Sequence, residues 1–110
     1  MAPDNNAQGA LTEGVFFILV SLLQPRHGYA VMQHITELTG GRLSLGAGTL
    51  YGAINTLLDK GWIRALPSHD DSRQKRYVIT AAGRRVLQSE IARLQQLITI
   101  GQAEIDGIKP

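Results

Sequence analysis

No cysteine occurs in the chain, which excludes a disulfide scaffold and thiolate chemistry and is compatible with a reducing cytoplasm. Long hydrophobic runs are also missing. The one apolar stretch, Val15 to Leu23, is too short to span a bilayer. It follows Asp4 and Glu13 and has neither a basic leader nor a small-residue cleavage site, so it reads as a buried helix of a soluble, cytoplasmic protein rather than a signal peptide. Histidine is sparse: His27, His34 and His69 fall in a turn, a helix and a loop, and only His34 has a carboxylate, Glu37, at helical reach. No metal-ligand spacing, nucleophile elbow or phosphate-binding glycine motif accompanies them. The expectation is therefore no enzyme, no metal and no cofactor, with His27 capping or packing its turn, His34 facing solvent and His69 in a loop tip.

What is present is the composition of a globular protein, 44% hydrophobic and 18% charged, with residues 1–10 reading as a disordered N-terminal arm. At 110 residues the chain makes one domain, or one domain with an appended dimerisation element, and its core as a monomer is modest. The formal charge is only +2, but between Lys60 and Arg85 there are seven basic residues against two acidic ones, Asp70 and Asp71. Such a local basic surface attracts polyanions; a solvated charged face is the other reading.

Helical periodicity predicts a first helix from a Thr12 cap to just before Pro25, with Val15, Ile18, Leu19 and Leu22 as its main stripe. A second runs from Tyr29 to about Thr39 and stops at Gly40-Gly41. After a glycine-rich turn, a third helix begins near Gly48-Thr49 and ends at Gly61. Two strand-like segments follow, Trp62 to Leu66 and Lys75 to Ile79, joined by a charged loop from Pro67 to Gln74 that is too long for a tight hairpin and suits a protruding basic tip. Ile63 and Ala65 in one strand and Tyr77 and Ile79 in the other alternate toward a face that can cover the helices. Thr80 can cap a last helix, Ala81 to about Ile108. The fold class is mainly α with a small β-hairpin: a winged helix-turn-helix over residues 11–80 and a C-terminal dimerisation helix over 81–110.

The third helix carries the functional signal. Leu50, Ile54, Leu57 and Leu58 fall on one side of it, and Gly48, Gly52, Asn55 and Asp59 on the other. Each solvent-side glycine costs about 1 kcal/mol against alanine. Either a closely approaching object such as the wall of a DNA groove justifies that cost, or Gly48 is a turn residue and Gly52 incidental. In the first case Thr49 and Tyr51 would donate to phosphates, Asn55 and Thr56 would face base edges, and Lys60, Arg73, Lys75 and Arg76 would lie along the flanking backbone of double-stranded DNA. Tyr51 reads equally as a half-buried ring sealing the helix. In the last helix Leu87, Ile91, Leu94, Ile98 and Ile105 keep heptad spacing, with Gly101 at the one missing position. That seam serves either a second copy of the chain or the chain's own first helix. Phe16, Phe17 and Leu97, with Leu94 and Ile98, could line an apolar space for a small molecule.

Four motifs in order, His27-Gly28-Tyr29, Gly48-Thr49-Leu50-Tyr51, Leu57-Leu58-Asp59-Lys60-Gly61-Trp62-Ile63 and Arg76-Tyr77-Val78-Ile79-Thr80-Ala81-Ala82-Gly83-Arg84, resemble the PadR family of transcriptional regulators. The resemblance covers about Leu11 to Ile100. It implies a homodimer joined through the C-terminal helix together with the first helix (Val15, Leu19 and Leu22), repression at a palindromic operator, and release by a hydrophobic or aromatic small-molecule effector. A single short C-terminal helix resembles the compact branch of that family. The alternative is a winged-helix protein-interaction module without DNA binding, which Asp59 and the low net charge permit.

Overall fold

A computed structural model describes residues 9–67 and 75–108 of the chain. Its elements run α1 (Glu13–Ser21), β1 (Arg26–His27), α2 (Gly28–Leu38), α3 (Ala47–Asp59), β2 (Ile63–Ala65), β3 (Arg76–Ile79) and α4 (Ala81–Gly107). The fold is mostly helical with one small antiparallel sheet in the order β1-β3-β2. The arm expected over residues 1–10 lies, apart from Gly9 and Ala10, outside the described residues, as does most of the charged loop, including His69, Asp70, Asp71 and Arg73.

Local chemistry sets the helix ends. Thr12 Oγ1 accepts from Val15 N at 3.1 Å and opens α1, which closes at Ser21, earlier than expected, because Leu22 to Gln24 turn the chain before Pro25. Helix α3 ends in a Schellman arrangement: Gly61 N donates to Leu58 O and Trp62 N to Leu57 O, both at 3.0 Å. This requires the left-handed φ of +75° at Gly61. One hydroxyl then joins two elements, since Thr80 Oγ1 accepts from Gly83 N at 3.1 Å to cap α4 and donates to Gly61 O at 2.6 Å.

The strand β1 is absent from the sequence reading, because two residues have no period to detect. It pairs Arg26 with Tyr77 and His27 with Arg76. His27 therefore does not cap α2 through its side chain; its Nδ1 lies 3.2 Å from Lys75 O. A carbonyl only accepts, so this contact is a hydrogen bond in the Nδ1–H tautomer. His34, expected in solvent, is half-buried, with Nδ1 3.9 Å from Glu37.

The core joins Ile18, Leu19 and Leu22 of α1, Val31 and Ile35 of α2, Leu50, Ile54 and Leu57 of α3, Ile63, Tyr77 and Ile79 of the sheet, and Val86 and Leu87 of α4. Burying each of these large side chains contributes about 1.5–3 kcal/mol. Ala65 departs from the expected alternation and is exposed at the end of β2. Leu19 and Leu22 at 0% exposure and Leu87 at 3% also correct the expected interface: they are packed inside their own subunit and have no surface left for a partner.

Glu90 closes the base of α4. It is buried, accepts from Leu11 N at 3.2 Å and takes a two-pronged bond from Arg93, Nε to Oε1 and Nη2 to Oε2, each at 2.7 Å. Arg93 first, and the Leu11 N–H after it, hold its carboxyl below the ordinary value of 4.5 against the opposing effect of burial. A carboxylate with a depressed folded pKa stabilises above its unfolded pKa and loses that contribution as pH falls through the folded one. Acid titration is thus expected to loosen the start of α1 from α4 only below about pH 4.5, and Glu90→Gln should remove this step from the thermal stability profile measured against pH.

Candidate nucleic-acid interface

Helix α3 buries Leu50, Ile54 and Leu57 and leaves its opposite side bare. Gly48, Thr49, Gly52, Asn55, Thr56 and Asp59 are all exposed. A methyl built on Gly48 or Gly52 would meet nothing within 4 Å, so neither glycine is required by packing inside the chain. Thr56 Oγ1 donates back to Gly52 O at 3.2 Å, which commits its proton to the helix and leaves its methyl and lone pairs facing out. Asn55 keeps both amide donors and its acceptor free of any partner among the described residues.

Tyr51 combines the two readings open for it. Its ring lies over Gly28, where a methyl would fall 2.7 Å from Cζ, yet the residue is 44% exposed. Glycine in the His27-Gly28-Tyr29 motif is what lets that ring seat between α2 and α3. The buried Tyr77 hydroxyl lies close enough for its pKa to be raised, by burial first and by Tyr51 second.

The sheet adds positive charge. Arg76 and Val78 alternate with the inward Tyr77 and Ile79, Arg64 stands directly across from Val78, and His27 across from Arg76. Opposed residues share a face, so His27, Arg64 and Arg76 line the outer side of the sheet. Lys75 is exposed just before β3, and Arg76 is half-buried.

The comparisons with known proteins bear on this geometry. A family model described as "Transcriptional regulator PadR-like family" matches residues 18–89. The chain belongs to the PadR family. Its members are transcriptional regulators, not enzymes. A curated relative, an uncharacterized 37.1 kDa protein in transposon TN4556 of Streptomyces fradiae, is 38% identical over 73 residues, covering 66% of this chain; the chain spans only 20% of that protein's length. Among solved structures, a PadR family transcriptional regulator from Eggerthella lenta shares the fold with a TM-score of 0.68 at 24% identity, covering 86% of this chain and 82% of that one. The structure of Bacillus subtilis PadR in complex with operator DNA aligns at a TM-score of 0.59 and 24% identity over 70% of this chain and 45% of that one. Both likenesses speak for the winged-helix fold.

Within this PadR-family chain, the residues expected at the interface divide into three groups. Thr49, Tyr51, Asn55 and Thr56 are brought together on the open side of α3. Lys75 and Arg76 stand at the base of the hairpin, while Arg73 lies outside the described residues. Lys60 is set apart: it is the C-cap residue of α3, about 20 Å along the helix from Ala47, and its ammonium sits 4.8 Å from the centroid of the Trp62 ring. Its visible role is to cover that ring. Sequence reasoning passed over Arg64, because position in a strand says nothing about which cations end up beside it. The period of two, which sets Arg64 on the face opposite Ile63, was the signal that could have found it.

Of the residues expected at the subunit seam, Val15 and Leu94 are half-buried, while Ile91, Ile98 and Ile105 are exposed. Phe16 and Phe17 meet edge to face with centroids 5.4 Å apart, and they border an open cavity of about 350 Å³ between α1 and α4 with Leu11, Glu13, Glu90, Arg93 and Leu94. Leu97 lies outside that lining and is exposed. No helix of the described residues is long and apolar enough to cross a membrane, and no group of three acidic or histidine side chains among them could hold a metal ion.

Proposed function

We propose that the protein is a homodimeric repressor that binds a palindromic operator in double-stranded DNA, with α3 in the major groove and the hairpin against the flanking backbone. The observation that carries the reading is the open side of α3, where two glycines at which an added methyl would meet nothing in the chain lie on the same side as Thr49, Asn55 and Thr56. A helix pared to backbone at two positions can approach base edges closely. Asn55 would make the two-pronged contact with adenine, Thr56 would offer its methyl to thymine, and Thr49 and Tyr51 would donate to phosphates. Lys75, Arg76 and Arg73 supply the salt-dependent part of the affinity. The operator-bound PadR of Bacillus subtilis supports the reading through its shared fold.

Dimerisation would use α4 and Val15, and a hydrophobic or aromatic effector would bind beside Phe16 and Phe17 and release the DNA by favouring a spacing of the two α3 helices that fits the operator poorly. Gel shift of the DNA upstream of the protein's own gene, titrated with salt, tests the proposal. Binding should weaken with a log–log slope of about −0.9 for each phosphate neutralised. Arg73→Ala with Arg76→Ala should flatten the slope by about that amount for each phosphate no longer neutralised. An unchanged slope removes the hairpin from the interface, and no shift even at low salt would favour a protein-interaction module instead.

A further inference from the structure

A groove of about 350 Å³ runs between α2 and the segment that leads into α3, and it shares no residue with the cavity beside Phe16 and Phe17. Its apolar floor is Met32 and Leu45, both half-buried and packed against the core. Tyr29, 62% exposed, stands at one end. Glu37 stands at the other, eight residues further along α2 and so about 12 Å along the helix axis. Gln33, Thr36 and Ser44 complete the rim. We infer that this groove binds a small primary amine carrying an aryl group, with the ammonium on Glu37, the apolar part over Met32 and Leu45, and the ring against Tyr29. The site is complete within one chain and does not depend on DNA binding.

The polar groups select the ammonium. Gln33, Thr36 and Glu37, spaced i, i+3 and i+4, converge on one spot of the helix surface. Thr36 Oγ1 donates to Met32 O at 3.2 Å, so it offers a ligand only its lone pairs. The Glu37 carboxylate and the Gln33 carbonyl also accept, which matches a head group of three donors and no acceptor. A phosphate or carboxylate would meet the charge of Glu37 instead. The chain does not neutralise that charge itself: no basic side chain lines the groove, and Arg42 of the adjoining loop is turned to α1, where both terminal nitrogens bond Glu13. His34 Nδ1 is 3.9 Å from Glu37, beyond hydrogen-bond length.

The walls are already in place. Leu45 Cδ2 lies 3.7 Å from where a methyl on Gly14 would stand, so α1 backs it. Thr39 Oγ1 accepts from Leu43 N at 3.1 Å and fixes the loop that brings Leu45 to α2. A preformed site loses little freedom when filled, and a volume near the small end of ligand pockets suits a molecule of fragment size. The Tyr29 ring, left in water beside an apolar floor, gains burial and a cation or ring to stack on only when a ligand covers it.

Amide NMR of the full-length, nitrogen-15-labelled protein, titrated with 4-phenylbutylamine, tests the assignment. Saturable shifts are expected at residues 29–37 and 44–45, with a dissociation constant on the order of 1 mM. The uncharged 4-phenylbutanol should bind about three- to fivefold more weakly, as befits loss of an exposed ion pair. Glu37→Gln should weaken the amine by the same factor and leave the alcohol unchanged, while Tyr29→Ala should weaken both; the unliganded spectra show that each variant is folded. Equal affinity of the amine for the wild type and Glu37→Gln would overturn the ammonium contact. Shifts confined to residues 11–17 and 90–94 would place the amine in the cavity between α1 and α4, and absence of any saturable shift would remove the site; either outcome sinks the proposal.

Discussion

Gly83→Ala is expected to destabilise the protein by about 3 kcal/mol, at the upper end of the usual cost of overpacking a core. A methyl at this position would sit well inside van der Waals distance of the Trp62 carbonyl oxygen and 2.9 Å from Ile79 Cγ1. The obstructing group is backbone, and it is already engaged, because Thr80 N donates to Trp62 O at 2.9 Å. Relief would require α4 to move away from the β2 entry, breaking the Thr80 bonds to Gly61 and Gly83 as well. Alanine's helical propensity returns only about 1 kcal/mol. For a domain of this size the net loss lowers the melting temperature by roughly 10–20 °C, which thermal denaturation followed by circular dichroism would detect; a change of under about 2 °C would mean that α4 does not press on Trp62 as described.

The second large effect separates binding from folding on α3. Asn55→Ala is expected to lower operator affinity by about 5- to 150-fold, the roughly 1–3 kcal/mol of one two-pronged base contact. Its stability should change by no more than about 0.5 kcal/mol, since Asn55 is exposed. Gly52→Ala provides the complementary case: nothing in the chain meets the added methyl, so the helix should gain about 0.5–1 kcal/mol while DNA binding weakens. Fluorescence anisotropy with an operator duplex, read beside chemical denaturation of the same variants, makes both measurements. If Gly52→Ala stabilised the protein and bound DNA as tightly as before, the close approach of α3 to the groove would be refuted.

These two glycines illustrate what local sequence can and cannot convey. Gly52 and Gly83 both interrupt helical segments and are indistinguishable in propensity. One faces empty space and the other the Trp62 carbonyl just ahead of β2, about twenty residues earlier, and only the folded chain separates them. Tyr51 is similar. Its helical phase left it at the margin of the apolar side, and the contact with Gly28 of α2 shows that the ring packs while the residue stays partly open.

Elements whose signal is periodic or chemically capped were legible in the chain itself. Thr12 and Thr80 open α1 and α4 as their hydroxyls dictate, Gly61 ends α3, and the alternation Tyr77, Ile79 turns β3 inward, because each of these depends on residues a few positions apart. Family membership was legible for the same reason, through four short motifs in order. Contacts between distant segments were decided only in three dimensions. The tertiary structure added β1 to the sheet, drew His27 onto the Lys75 carbonyl, stacked Lys60 over Trp62, and enclosed Leu19, Leu22 and Leu87 within the subunit while leaving Ile98 and Ile105 bare. A heptad records that a helix has an apolar side, but how far along that side the rest of the chain reaches depends on where α1 is placed, and here its cover gives out past Leu94.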